Sequence, residues 1–225
     1  DTAREFFAEH APVAALRLLR DTHEPVGYDP QLWQQMAEMG WASIILPETY
    51  GGLDFGFLGL GVVLEESGRT LTASPLFASA VVGASAVLLG GSEALKQSLL
   101  PDIAGGKMTL ALALEETHHH NPTYISTTAK IQGENFILSG SKCFVLDGHS
   151  ADKLIVVART GGTERSSAGL TLLLVDRNTS GVSCRRTFMA DSRNAANIRF
   201  DDVVVPSENA LGTVNQGWAI LEPVL

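Results

Sequence analysis

Apolar residues recur every three to four positions through the first hundred residues of this chain, and the period then shortens to two. The segment "TAREFFAEHAPVAALRLLRD" predicts a first helix. Asp29-Pro30 reads as an N-cap and first-turn pair opening "DPQLWQQMAEMGW". "GFLGLGVVLEESGRTL" predicts a third helix ending near Gly68, and Ser74-Pro75 opens a fourth by the same cap logic. "SEALKQSLLPDIAGG" predicts a fifth, with Ser92 as N-cap and Gly105-Gly106 as the stop.

Near Met108 the pattern changes. "MTLALALEE" is a short apolar run. Thr127–Ile131 and Phe136–Ser139 read as two strands around a Gly133-Glu134-Asn135 turn. "DKLIVVART", "GLTLLLVDR", "GVSCRRTF" and "ANIRFDDVVVP" are further strand candidates, separated by Gly, Asn, Asp and Ser. Closely spaced strands without intervening helices predict a sandwich or barrel. The fold class expected is α+β: an all-α domain over residues 1–107, then a β-sandwich or barrel over residues 108–212. Residues 213–225, with "GTVNQGWAILEPVL", read as the opening of another helical domain, as in a truncated chain.

Composition narrows the classes. Of 225 residues, 45% are apolar and 18% charged, enough to build a core and too apolar for disorder. The net charge of −9 and the lack of a Lys/Arg run argue against nucleic acid. No charge interrupts residues 70–92, a length that could cross a bilayer. Pro75 and several Ser and Thr dilute it, so a buried helix is expected and no membrane span. Cys143 and Cys184 lie far apart and read as free thiols of a reducing compartment. With no basic-then-apolar leader, the expected location is cytoplasmic.

Among chemistry-bearing motifs, "EETHHHNP" at Glu115–Pro122 stands out. Metal ligands converge at i, i+2 or i, i+4 spacing; three adjacent histidines diverge. A polar loop after a strand is the expectation, with no metal. "GLGVVL" at Gly59 lies within a helical stretch and follows no strand, "GGKM" lacks the rest of a phosphate loop, and no GxSxG elbow is present. Glu65-Glu66 and Asp201-Asp202 read as solvated or capping pairs, and Cys143 has no aligned His and Asp to make it a nucleophile.

The order of motifs resembles the acyl-CoA dehydrogenase family. "LPETYGGLDFGFLGLGVVLEESGR" is similar to its P-x-x-x-G-G, helix, E-E-x-x-R pattern. "LKQSLLPDIAGGKMTLALALEE" is similar to K-x-x-x-L-P-x-(I/L)-A-x-G followed by a flavin-facing strand. "FDDVVVPSENALG" and "NQGW" resemble F-x-x-V-x-V-P-x-x-x-x-L-G and G-x-G-(F/W). The matches run from Leu46 to Trp218. The resemblance implies a helical domain, a β domain and a C-terminal four-helix bundle, the last absent from this chain. It also implies FAD-dependent desaturation of an acyl-CoA thioester, with a glutamate taking the α proton, the flavin taking the β hydride, and an electron-acceptor flavoprotein as partner. The base lies on the bundle, so no catalytic residue is assigned; Glu222 falls too early on its helix.

The family's T-E-P-x-x-G-S-D loop corresponds to "L-E-E-T-H-H-H-N", and its G-x-K-x-(W/F)-(I/V)-(T/S)-N-G to "G-S-K-C-F-V-L-D-G" at Gly140–Gly148. Counting without gaps places Glu115 on the Glu, His120 on the Ser and Asn121 on the Asp. The implied cofactor set is Ala113, Leu114, Glu115, His120, Asn121, Phe144 and Leu146, with His120 also facing the substrate. Leu114 and Leu146 replace hydroxyl residues and cannot hydrogen-bond a flavin. Phe144 keeps an aromatic against the ring. Three readings follow. One is a subunit of a heteromeric enzyme whose FAD sits mainly with its partner. Such pairs act on steroid side-chain or dicarboxylyl CoA esters, and "VLDGHSADKLIVVART" resembles their small subunit. The others are an ordinary homo-oligomeric FAD enzyme and a non-catalytic interaction subunit.

Overall fold

A computed structural model describes residues 1–225. The N-terminal region is helical: α1 (Thr2–His10), α2 (Val13–Asp21), α3 (Pro30–Glu38), α4 (Gly56–Arg69), α5 (Ala84–Gly90) and α6 (Glu93–Ala104). The single first helix expected from sequence is two, because Pro12 has no N–H to donate and disfavours helical geometry at Ala11, which sits at φ −132°. Asp29 does cap α3, accepting from the N–H groups of Gln31 and Leu32, and Ser92 caps α6 by accepting from Leu95.

Ser74 is no cap. The chain beyond Pro75 forms a π-helical segment, Leu76–Gly83, that runs into α5 without a side-chain cap. This is the charge-free stretch, and Leu76, Ala78, Ala80, Ala84, Ala86 and Val87 are buried. No helix is long and apolar enough to cross a membrane. Of the Glu65-Glu66 pair, Glu65 is solvated as expected and Glu66 is not. Glu66 is buried and joins Arg4 at 2.9 Å and Arg69 at 3.1 Å, tying α1 to α4.

The rest is one eight-stranded sheet followed by α7 (Trp218–Val224). Its strands are β1 (Leu110–Ala113), β2 (Thr128–Gln132), β3 (Asn135–Leu146), β4 (Lys153–Arg159), β5 (Leu170–Asp176), β6 (Val182–Phe188), β7 (Asn194–Pro206) and β8 (Ala210–Leu211). The order is β6-β7-β3-β2-β4-β5-β8, with β1 parallel to β4. The β2–β3 turn is two residues, Gly133-Glu134, since Asn135 already pairs with Gln132, and β3 continues well past Ser139 to Leu146.

Alternation along β4 and β5 separates two cores. Ile155, Val157, Leu170, Leu172 and Leu174 face the helices, in one cluster with Phe7, Trp33, Met36 and Leu100. Leu154, Val156, Ala158, Leu173 and Val175 face Phe136, Leu138, Ile198, Phe200 and Val203 from the other wing of the sheet. The sheet is thus a helix-covered layer folded over a second β layer. Where β1 leaves this sandwich, the chain enters the histidine loop.

Candidate functional site

Alanines and leucines of β1 are held between β4 and the π-helical segment, and Ser79 Oγ accepts from the Leu110 N–H at 3.1 Å. Ala113 and Leu114 are buried at the end of this strand. Glu115 follows and closes the loop on itself. One carboxylate oxygen lies 2.6 Å from Nδ1 of His120, and the other accepts from the Asn121 N–H at 3.2 Å. A carboxylate only accepts, so the proton in the first bond sits on His120 Nδ1 and leaves Nε2 outward. The His120 side chain is 67% exposed.

Glu116 points the other way, into the protein. Its side chain is 4% exposed and that of Lys142 is 0% exposed, with Nζ 2.7 Å from the carboxylate. Lys142 also donates to the Leu114 carbonyl at 3.0 Å. Glu116 accepts from Ser126 N–H at 2.7 Å and Thr127 N–H at 3.0 Å. Burial opposes ionisation of Glu116, but the Lys142 charge and these hydrogen bonds outweigh it and bring the carboxyl down to about 2. Burial lowers the Lys142 ammonium to about 8 against the pull of Glu116, so the pair is ionised at neutral pH. This pair anchors the root of the histidine loop to β2 and β3, and sequence reasoning assigned neither residue a role. The available signal was a lone lysine amid the apolar alternation of β3.

Phe144 and Leu146 reach the same neighbourhood from β3. The register of β3 on β7 slips between Lys142 and Val145, a bulge that re-aims the intervening side chains. Phe144 has φ +52° and is 41% exposed. His118 meets its ring edge-on, centroids 5.9 Å apart. Leu146 pairs with Ala195 and is half-buried. Cys143 donates its N–H to the Glu115 carbonyl at 2.8 Å, and its thiol lies 3.2 Å from the Thr117 carbonyl. The strand end, the histidine loop and the β3 bulge are therefore contiguous. Glu222 is exposed on α7.

The residues expected at a flavin match it only in part. The Phe144 ring offers a flat apolar surface. Leu114 and Leu146 offer no side-chain hydrogen bond, the Leu114 carbonyl already accepts from Lys142, and the Asn121 N–H already donates to Glu115. These side chains do not fit the polar edge of a flavin ring. No group of three His, Cys, Asp or Glu converges as a metal cage. Elemental analysis of the untagged protein is expected to find no stoichiometric metal on His118, His119 and His120; one zinc or nickel per chain would contradict this.

A helical layer leads into a β sandwich, with a strand-end loop set against a bulged strand. The family model "Acyl-CoA dehydrogenase, N-terminal domain" matches residues 1–107, and "Acyl-CoA dehydrogenase, middle domain" matches residues 111–203. The chain belongs to the acyl-CoA dehydrogenase family. Cyclohex-1-ene-1-carbonyl-CoA dehydrogenase of Geobacter metallireducens is 32% identical over 195 residues, 84% of this chain and 51% of that protein. Mitochondrial isovaleryl-CoA dehydrogenase of Pongo abelii is 29% identical, covering 98% of this chain and 53% of its own length. A variant of the Tcur3481-Tcur3483 steroid ACAD superposes with TM-score 0.84 at 32% identity, covering 99% of this chain and 58% of that one. The chain thus spans about half the length of the curated relatives it matches.

Proposed function

We propose that this chain is one subunit of a heteromeric acyl-CoA dehydrogenase that desaturates an acyl-CoA thioester between Cα and Cβ, with FAD held mainly by the partner subunit. The observation that carries this reading is the self-closed histidine loop. Glu115 occupies both His120 Nδ1 and the Asn121 N–H, while Leu114 and Leu146 supply no polar contact. This chain's contribution is then a substrate-side wall and a shared interface, and an electron-acceptor flavoprotein reoxidises the assembly. The likeness to a steroid ACAD supports a bulky side-chain CoA ester as substrate class.

The test is flavin content of the full-length protein, purified alone and co-expressed with its partner. The expected result is no flavin alone and about half occupancy in the complex. One FAD per chain in the protein alone would establish the homomeric enzyme instead. In the complex, Leu146→Thr is expected to tighten FAD about fivefold, the value of one added hydrogen bond of about 1 kcal/mol. An unchanged FAD titration would place Leu146 away from the ring.

A further inference from the structure

Arg159, the last residue of β4, is buried and makes a dense set of hydrogen bonds. Nε donates to Ile125 O at 2.9 Å. Nη1 donates to Gly161 O at 3.3 Å and Ala168 O at 3.0 Å. Nη2, with two hydrogens, reaches Thr123 O at 3.1 Å, Glu164 O at 3.1 Å and Ser166 O at 3.0 Å, one N–H being shared between two carbonyls. Every acceptor is a backbone carbonyl. Two belong to the segment that continues the histidine loop, and four to the β4–β5 loop. The guanidinium is a rigid planar fork with five N–H donors, and a lysine ammonium in the same place has three.

The two loops meet around this group. Ile125 N–H donates to Glu164 O at 2.9 Å, and the Arg165 guanidinium lies 5.6 Å from the centre of the Tyr124 ring. The β4–β5 loop can wrap Arg159 because Gly169 holds φ +83°, where a Cβ would lie 2.0 Å from Gly161 O. Neither loop has regular secondary structure across Asn121–Ser126 or Thr163–Ala168. Ile125 is buried in the helix-side core and Ser126 is tied to Glu116, while the Arg159 bonds and the Ile125–Glu164 bond join the two loops directly.

We infer that Arg159 is a positioning residue that locks the histidine loop and the β4–β5 loop into one wall of the acyl-CoA site. The lock rests on geometry alone; its link to ligand rests on the function proposed above. Arg159→Ala in the full-length complex separates the two. Amide hydrogen exchange is expected to quicken about tenfold or more at both Asn121–Ser126 and Thr163–Ala168, while the β4–β5 and β3–β7 ladders keep their protection. Guanidinium chloride at low millimolar concentration is expected to restore both loops by refilling the vacated site. Affinity for acyl-CoA should fall about tenfold and recover with the loops. Arg159→Lys, which keeps the charge and loses the fork, serves if the alanine variant does not fold, and should loosen both loops to a lesser degree. Loosening of one loop alone, or of neither, overturns the lock. Loosening of both with unchanged acyl-CoA affinity overturns the positioning role. A wild-type complex that binds no acyl-CoA overturns the proposed function, and the exchange measurements still decide the lock.

Discussion

Glu116→Gln is expected to destabilise the protein by about 3–5 kcal/mol, because it strands the Lys142 ammonium in a fully buried site. Ser126 and Thr127 donate to different carboxylate oxygens, so the glutamine keeps one of these bonds and sets its NH2 against the other N–H; the loss combines the stranded charge with one backbone hydrogen bond. Lys142 would respond by giving up its proton, since burial already holds it down at about 8 with the carboxylate present. Removing both partners in Glu116→Gln/Lys142→Met is expected to regain most of the loss, as apolar replacement of a buried pair is often neutral. Urea denaturation of the two variants and of the parent measures this directly. A double variant as unstable as the single would mean that the hydrogen bonds to Leu114 and the loop matter more than the charge. The acid limb gives a second check. The folded Glu116 carboxyl titrates at about 2 against an ordinary 4.5, so its contribution is present above about 4.5 and is lost as pH falls through about 2. That limb should be missing in the glutamine variant.

The same pair shows where sequence reading ran out. Helices and strands were legible because their apolar periods differ: α3 and α6 carry their caps in sequence, and β4 and β5 are nearly unbroken Val, Ile and Leu. Pro12 is equally visible in the sequence and marks the break between α1 and α2, although helix formers flank it on both sides. The π-helical turn of Leu76–Gly83 had no local signature, since small apolar residues fit π and α geometry alike. In the histidine loop, adjacency in sequence misled differently. Three histidines draw attention, yet the charged anchor is Glu116 with Lys142, 26 residues apart. The family pattern places a proline at Glu116, so the resemblance could not supply its role. Arg159 was hidden for a related reason. Its partners are backbone carbonyls, which every residue carries, so no residue type in either loop announces them.

Asp147→Asn is expected to stabilise the protein by about 3 kcal/mol at pH 8 and by almost nothing at pH 4, equivalent to roughly 6–12 °C in melting temperature at the higher pH. Asp147 follows Leu146 at φ +56°, a backbone region that asparagine tolerates well. Its carboxyl is buried, and one oxygen has no hydrogen-bond partner. The neighbouring Asn194 spends its amide N–H groups on Val26 O at 3.2 Å and Ser150 Oγ at 3.1 Å, leaving its own buried oxygen unpartnered as well. Turning the Asn194 amide over would set its oxygen against the Val26 carbonyl, so the amide is fixed with its oxygen unpartnered. Burial therefore pushes the Asp147 carboxyl up to about 6, although the Arg193 charge and the Asn194 amide pull it down. A raised folded value fixes the sign. The folded state keeps this proton up to about pH 6, whereas the unfolded chain releases it near 3.8. Its stabilising effect is thus complete below about 3.8 and gone once pH has risen through about 6. An amide at this position carries no charge to desolvate at any pH. Melting curves of parent and variant from pH 4 to pH 8 decide the matter. A gain of the same size at both ends would reduce Asp147 to a packing effect, and a loss at pH 8 would mean that the ionised carboxylate is needed where it stands, beside Leu146 and the bulged strand.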